Sequence, residues 1–117
     1  MDNILQNWVK KIRTNDANQV AELYHDNGLL LGTFSNKERH GKSLILKYFK
    51  KLLKSKVDVE IITQHVHKTN TILVSSGLYN FIVNDVIIKA RYTFVFSKNK
   101  NNWKILSHHS SLLPDTV

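Results

Sequence analysis

The stretch NNWKILSHHSSLLP (residues 101–114) carries the decisive pattern of the chain. Trp103, Ile105 and Leu106 ask for burial, whereas His108-His109-Ser110-Ser111 place four chemically capable side chains in a row. On a β-strand, adjacent residues point to opposite faces. One His and one Ser therefore share each face, either His108 with Ser110 or His109 with Ser111. The run is either a polar strand end or the floor of a reaction pocket.

Working back from it, the second half of the chain reads as strand. VDVEIITQHVHKT (57–69), TILVSSGLYNFIV (71–83), VIIKARYTFVFSK (86–98) and NWKILSHHSS (102–111) are rich in β-branched and aromatic residues. Turns at Thr69-Asn70, Asn84-Asp85 and KNKNN separate them. The first half reads helical. In NILQNWVKKI (3–12), Ile4, Trp8 and Ile12 recur every four residues, flanked by Leu5 and Val9. Thr14 or Asn15 caps a second segment, DANQVAELY, with Val20, Leu23 and Tyr24 on one face. HDNG (25–28) reads as a turn and LLLGT (29–33) as a short buried strand. GKSLILKYFKKLLKSK (41–56) is the clearest helix, with Leu44, Ile45, Tyr48, Phe49 and Leu52 on the apolar stripe and Lys47, Lys50, Lys51 and Lys54 facing water. Helices followed by a long antiparallel meander make an α+β domain. Strands this long twist and curve, so the sheet is expected to wrap the helices and leave a conical pocket.

The chain has 117 residues and a hydrophobic fraction of 42%, which suits a single domain spanning 1–117. No run reaches the ~18 apolar residues of a membrane span, and MDNILQNWVKK lacks the apolar core of a secretory signal, so a cytoplasmic location is the default. With no cysteine, disulfides, thiol nucleophiles and Cys-based zinc sites are excluded. The formal charge of +8 raises the question of nucleic acid. The lysines concentrate in KYFKKLLKSK and SKNKNNWK without interleaved aromatics, which fits a solvated face better than a single-strand platform. Such a face still enriches small anions nearby.

Several residues are candidates for chemistry. Thr33 ends its strand just after Gly32, where a hydroxyl can either cap a turn or donate to an anion. Tyr48 sits on the buried stripe of its helix and matters only if its hydroxyl meets a cavity. In ARYTFVF, Arg91 and Thr93 share one face, and Arg91 there faces either solvent or a buried anion. His65 and His67 share a face at spacing i, i+2. A third His would complete a zinc site, but exposed outer-face histidines are the simpler reading. No G-x-S-x-G elbow, P-loop or G-x-G-x-x-G occurs, and none of the nine acids is placed to complete a Ser-His-Asp triad.

The order of the pieces is more specific than any one of them. The series W…V…LY…LLLGTFS…R…LILKYFKKLL…V…SSGLYNF…ARYTFVF…W.I..HHSS..P resembles the calcium/calmodulin-dependent kinase II association-domain family, from about Trp8 to Pro114, and hence the nuclear-transport-factor-2-like cone fold. GT-S, YF, GLY-F, RYTFV and HHSS..P are similar to the small iota-class carbonic anhydrases. That resemblance implies reversible hydration of carbon dioxide to bicarbonate without metal or cofactor. It implies that Thr33, Tyr48 and Ser111 (or Ser110) hydrogen-bond bicarbonate, with His109 (or His108) assisting proton movement and Arg91 holding the anion's charge. Apolar walls are expected from Leu44 and Phe94. RHG after GTFSN departs from the pattern and leaves the pocket lip near His40 open. The alternatives are a noncatalytic oligomerisation or ligand-binding module and a pocket isomerase, which needs a carboxylate base. A homodimer through the exposed sheet face is expected, with no nucleic-acid or membrane partner.

Overall fold

The computed structural model describes residues 4–115. Helix α1 (Ile4–Arg13) buries Leu5, Trp8, Val9 and Ile12, a one-sided stripe at helical spacing. Lys10, Lys11 and Arg13 crowd its last turn, where cations complement the helix dipole. Thr14 and Asn15 end α1 rather than cap the next helix, and Asn15 is left-handed (φ 55°). The cap of α2 (Ala17–Ala21) is Asp16, whose carboxylate accepts from the Asn18 N–H.

The second helix stops before Tyr24, which instead opens β1 (Tyr24–Leu31). Strand pairing wins over helical continuation because the Ile105 N–H finds the Leu23 carbonyl at 2.8 Å. HDNG is therefore no turn between elements but an irregularity inside β1, where the register against the last strand shifts between Tyr24 and Leu29. Beyond β2 (Glu38–His40), α3 (Lys42–Leu52) begins after Gly41, whose φ of 96° few other residues adopt. Ile45, Tyr48 and Phe49 are buried, and Leu52 is partly so. Leu44 is 37% exposed, so it lines no interior wall.

Strands β3 (Val57–Ile61) and β4 (His65–Lys68) were expected as one, and both run along the same edge of β5 (Ile72–Val83). The chain breaks step at Ile62–Gln64, where two amides, of Ile62 and Thr63, share the Leu78 carbonyl. Gly77 makes room for this excursion, since a Cβ there would lie 2.2 Å from the Thr63 carbonyl oxygen. β6 (Val86–Asn99) and β7 (Asn102–Leu112) complete the sheet through tight turns at Asn84-Asp85 and Lys100-Asn101.

The strand order is β2-β1-β7-β6-β5-β3, with β4 also on β5. The meander β5–β6–β7 is antiparallel as expected, but β1 joins β7 in parallel, so the sheet is mixed. Inward-facing Tyr79, Phe81, Tyr92, Phe94 and Phe96 pack with Trp8, Ile12 and Phe49 as one core between helices and sheet. Lys47, Lys50 and Lys51 of α3 and Lys98 and Lys100 at the β6–β7 turn stay in water.

Candidate functional site

A bulge on β7 settles which half of HHSS faces inward. Trp103 and Ile105 pack toward the core, and strict alternation would send Ser107, His109 and Ser111 the same way. The register between β6 and β7 instead slips at Leu106, since Phe96 pairs with Ile105 while Val95 pairs with Ser107. One extra residue exchanges the two faces. His108 (2% exposed) and Ser110 (5%) are buried, while His109 is exposed and Ser111 half-buried on the outer face. His109 and Ser111, expected at the site, therefore face outward, and His108 and Ser110 occupy the interior positions.

The inward pair sits in a continuous buried chain of hydrogen bonds. The Trp8 indole N–H donates to the Tyr24 hydroxyl (3.1 Å), which meets His108 Nδ1 (2.8 Å). On the other side of the ring, His108 Nε2 meets the Tyr79 hydroxyl (3.1 Å), and Tyr79 donates to Ser110 Oγ (2.6 Å). Ser110 Oγ in turn lies 2.5 Å from Thr33 Oγ1. Residues from α1, β1, β5, β7 and the β1–β2 loop thus share one network.

Trp8 gives the chain a direction. An indole N–H only donates, so the Tyr24 oxygen accepts and its own proton is free for Nδ1. Accepting at Nδ1, a neutral His108 carries its proton on Nε2 and donates to Tyr79; this tautomer is our assignment from the network. Tyr79 passes its proton toward Ser110, and Ser110 toward Thr33. The Thr33 O–H is then the terminal donor, with no acceptor among the described residues.

Electrostatics agree. Burial, aided by the neighbouring His109 charge, lowers the His108 pKa to about 3, so the ring stays neutral at ordinary pH. It stacks on Phe94 with centroids 3.8 Å apart and meets the edge of Trp8. Burial also pushes the Tyr24 and Tyr79 hydroxyls well above their usual range, keeping both protonated. His108 is thus a fixed relay rather than the titrating base expected of a histidine with an ordinary pKa.

Tyr48 meets the backbone at Gly32 and Phe34, the two residues flanking Thr33. Its hydroxyl accepts the Phe34 N–H (3.3 Å), leaving its own proton free. Burial raises its pKa to about 12, opposed by the Phe34 N–H and the positive charge of Arg39. Gly32 permits this approach, because a Cβ there would lie 2.4 Å from the Tyr48 ring. Tyr48 also lines a cleft of about 220 Å³ with Phe34, Ser35, Arg39, Lys51, Leu52, Ser55 and Val83.

Of the residues singled out in the sequence, Thr33, Tyr48, His108 and Ser110 gather here. Arg91 does not: it is exposed on the outer face, opposite Leu78 and Ser111, so it holds no interior anion. His65 and His67 are exposed on β4, and among the described residues no three His, Cys, Asp or Glu side chains converge. Sequence reasoning missed Tyr24 and Tyr79 as network members and Arg39 as a cleft residue. Tyr79 carried a faint signal, a hydroxyl on the inward phase of GLYNF. Tyr24 carried none once it was read as helical.

Comparisons place this geometry among known proteins. A SnoaL-like domain matches residues 1–116. A solved protein from Xanthomonas campestris, named as a candidate calcium/calmodulin-dependent protein kinase II association domain, is 33% identical with a TM-score of 0.92, covering 97% of this chain and 85% of its own. An NTF2-like protein of unknown function from Pseudomonas putida (16% identity, TM-score 0.84, 97% and 90% covered) shares the fold. So does a candidate ketosteroid isomerase from Parabacteroides distasonis (22%, 0.81, 97% and 91%). No curated protein matches the chain. With its helices cupped by a curved mixed sheet of NTF2-like form, the chain belongs to the SnoaL-like domain family.

Proposed function

We propose that the chain catalyses reversible hydration of carbon dioxide to bicarbonate without a metal ion, beside the Thr33 and Tyr48 hydroxyls. The observation that carries this reading is the one-way chain ending in the Thr33 hydroxyl. A preorganised O–H aimed where negative charge grows lowers a barrier by stabilising the transition state more than the ground state. The Tyr48 O–H is a second such donor.

The proton step needs no strong base. As the water oxygen bonds to the carbon of carbon dioxide, the water gives a proton to Thr33 Oγ1. Thr33 gives its own proton to a carbon dioxide oxygen. The product is carbonic acid, which ionises to bicarbonate and a proton on release, and the threonine ends unchanged. His108 holds the relay in register. The buried polar side chains are Ser75, His108 and Ser110, with no Asp or Glu among the described buried residues. That disfavours isomerase chemistry, which needs a carboxylate base in the cavity.

Stopped-flow hydration on chelator-treated protein tests the reading. Thr33→Val and Ser110→Ala are expected to cost about 10²-fold or more, the scale of one lost oxyanion donor, and Tyr48→Phe somewhat less. A folded wild type at the uncatalysed rate, or variants as fast as wild type, refutes it. Activity that returns only with zinc would replace it with metal catalysis.

A second reading is a noncatalytic association module. It is favoured by the name of the Xanthomonas relative and by the exposed apolar residues Val86, Ile87, Leu112 and Leu113. In that reading two copies pair through the outer sheet face, which sedimentation of a Val86→Asp, Leu112→Asp variant tests by loss of the dimer.

A further inference from the structure

We infer that the cleft between β2 and α3 binds a small organic monocarboxylate, seated carboxylate-first on Arg39. This goes beyond the hydration reading and does not depend on it. Arg39 lies on β2, paired with Leu30, and lines the cleft of about 220 Å³. Its Nε is buried and has no hydrogen-bond partner, while Nη2 makes only a 3.4 Å contact to Ser35 Oγ. These two nitrogens form one edge of the guanidinium fork, whose spacing matches the two oxygens of a carboxylate. A charged donor left buried and unsatisfied is costly, and an arriving carboxylate removes that cost once the side chain turns to meet it.

The rest of the lining fits the same ligand. Lys51 adds a second cation, Ser35 and Ser55 add hydroxyls, and Tyr48 has a free O–H. No acidic residue lines the cleft, so nothing inside it neutralises Arg39. Phe34, Leu52 and Val83 supply apolar wall for a short hydrocarbon tail. The volume corresponds to about seven liquid waters, which suits an acid of a few carbons. The lysine-rich face of α3 would concentrate such anions at the entrance.

Titration of butyrate into the full chain, followed by amide NMR at Phe34 and Ser35, tests the inference. Saturable binding is expected, about tenfold or more weaker in Arg39→Gln and weaker but present in Arg39→Lys. Lys51→Gln, on an exposed position, is expected to weaken binding less and mainly at low salt. Thr33→Val is expected to bind butyrate like wild type, even if it loses hydration. Absence of binding to folded wild type, or equal binding by Arg39→Gln, overturns the inference. So does equal binding of butyramide, which removes the charge, or of inorganic phosphate, which lacks the planar pair of oxygens. A melting curve of each variant separates lost binding from lost fold. Should Arg39→Gln fail to fold, the comparison of Arg39→Lys with wild type and of butyrate with butyramide decides the matter.

Discussion

Lowering the pH from 7 to 5 is expected to cost the fold about 2 kcal/mol through His108 alone. The imidazole is 2% exposed, and burial, with the His109 charge second, takes its pKa from 6.5 to about 3. Between those values the unfolded chain binds a proton that the folded chain refuses. Stability from this group is therefore complete above pH 6.5 and lost progressively as pH falls toward 3. Each pH unit inside that window is worth about 1.4 kcal/mol. The structure gives the reason: protonated Nδ1 would become a donor facing Tyr24, whose oxygen already accepts from Trp8 and whose proton would lose its acceptor. Aromatic rings of Trp8, Tyr24 and Phe94 surround the site and offer no carboxylate to compensate. Urea unfolding of wild type and His108→Gln at pH 7, 6 and 5 measures the effect, since the variant lacks the titrating ring. The wild-type advantage is expected to shrink by about 2 kcal/mol across that range. An advantage that holds or grows, or imidazole NMR signals showing a charged His108 at pH 5, refutes the reasoning.

Two glycines test close approach. Gly77→Ala is expected to destabilise by about 3 kcal/mol, because the added Cβ meets the rigid Thr63 carbonyl. Gly32→Ala meets the buried Tyr48 ring, a side chain rather than backbone, so a loss of about 1–3 kcal/mol is expected, together with reduced hydration; thermal melts and the stopped-flow assay report both. Trp8→Phe is expected to lose about 1–3 kcal/mol in urea unfolding, since it opens space and removes the donor that orients the chain. Asp58→Asn is expected to change stability by less than about 1 kcal/mol, because its 2.6 Å pair with Arg13 is half-exposed and screened.

Much of the fold was legible because its signals are local. The stripe of Leu5, Trp8, Val9 and Ile12 and the helix around Tyr48 follow from spacing, and the Asn84-Asp85 turn from residue type. What escaped the sequence depends on distant partners. Tyr24 leaves its helix because Leu23 pairs with Ile105, 82 residues on. β3 and β4 separate because Gly77, on the neighbouring strand, admits the Thr63 carbonyl. Arg39 carried no signal of its own, because the cleft around it is assembled by Phe34, Tyr48, Leu52 and Val83 from other parts of the chain.

The sequence by itself determined that helices precede a curved sheet and that HHSS lies on its last long strand. The family resemblance, rather than any local pattern, pointed to Thr33 and Tyr48 as neighbours of that strand. Only the tertiary structure decided which His–Ser pair enters the interior. A strand has a period of two, so the single residue inserted at Leu106 reverses every side chain beyond it, and that insertion is set by the pairing of β7 with β6 rather than by any preference of β7 itself.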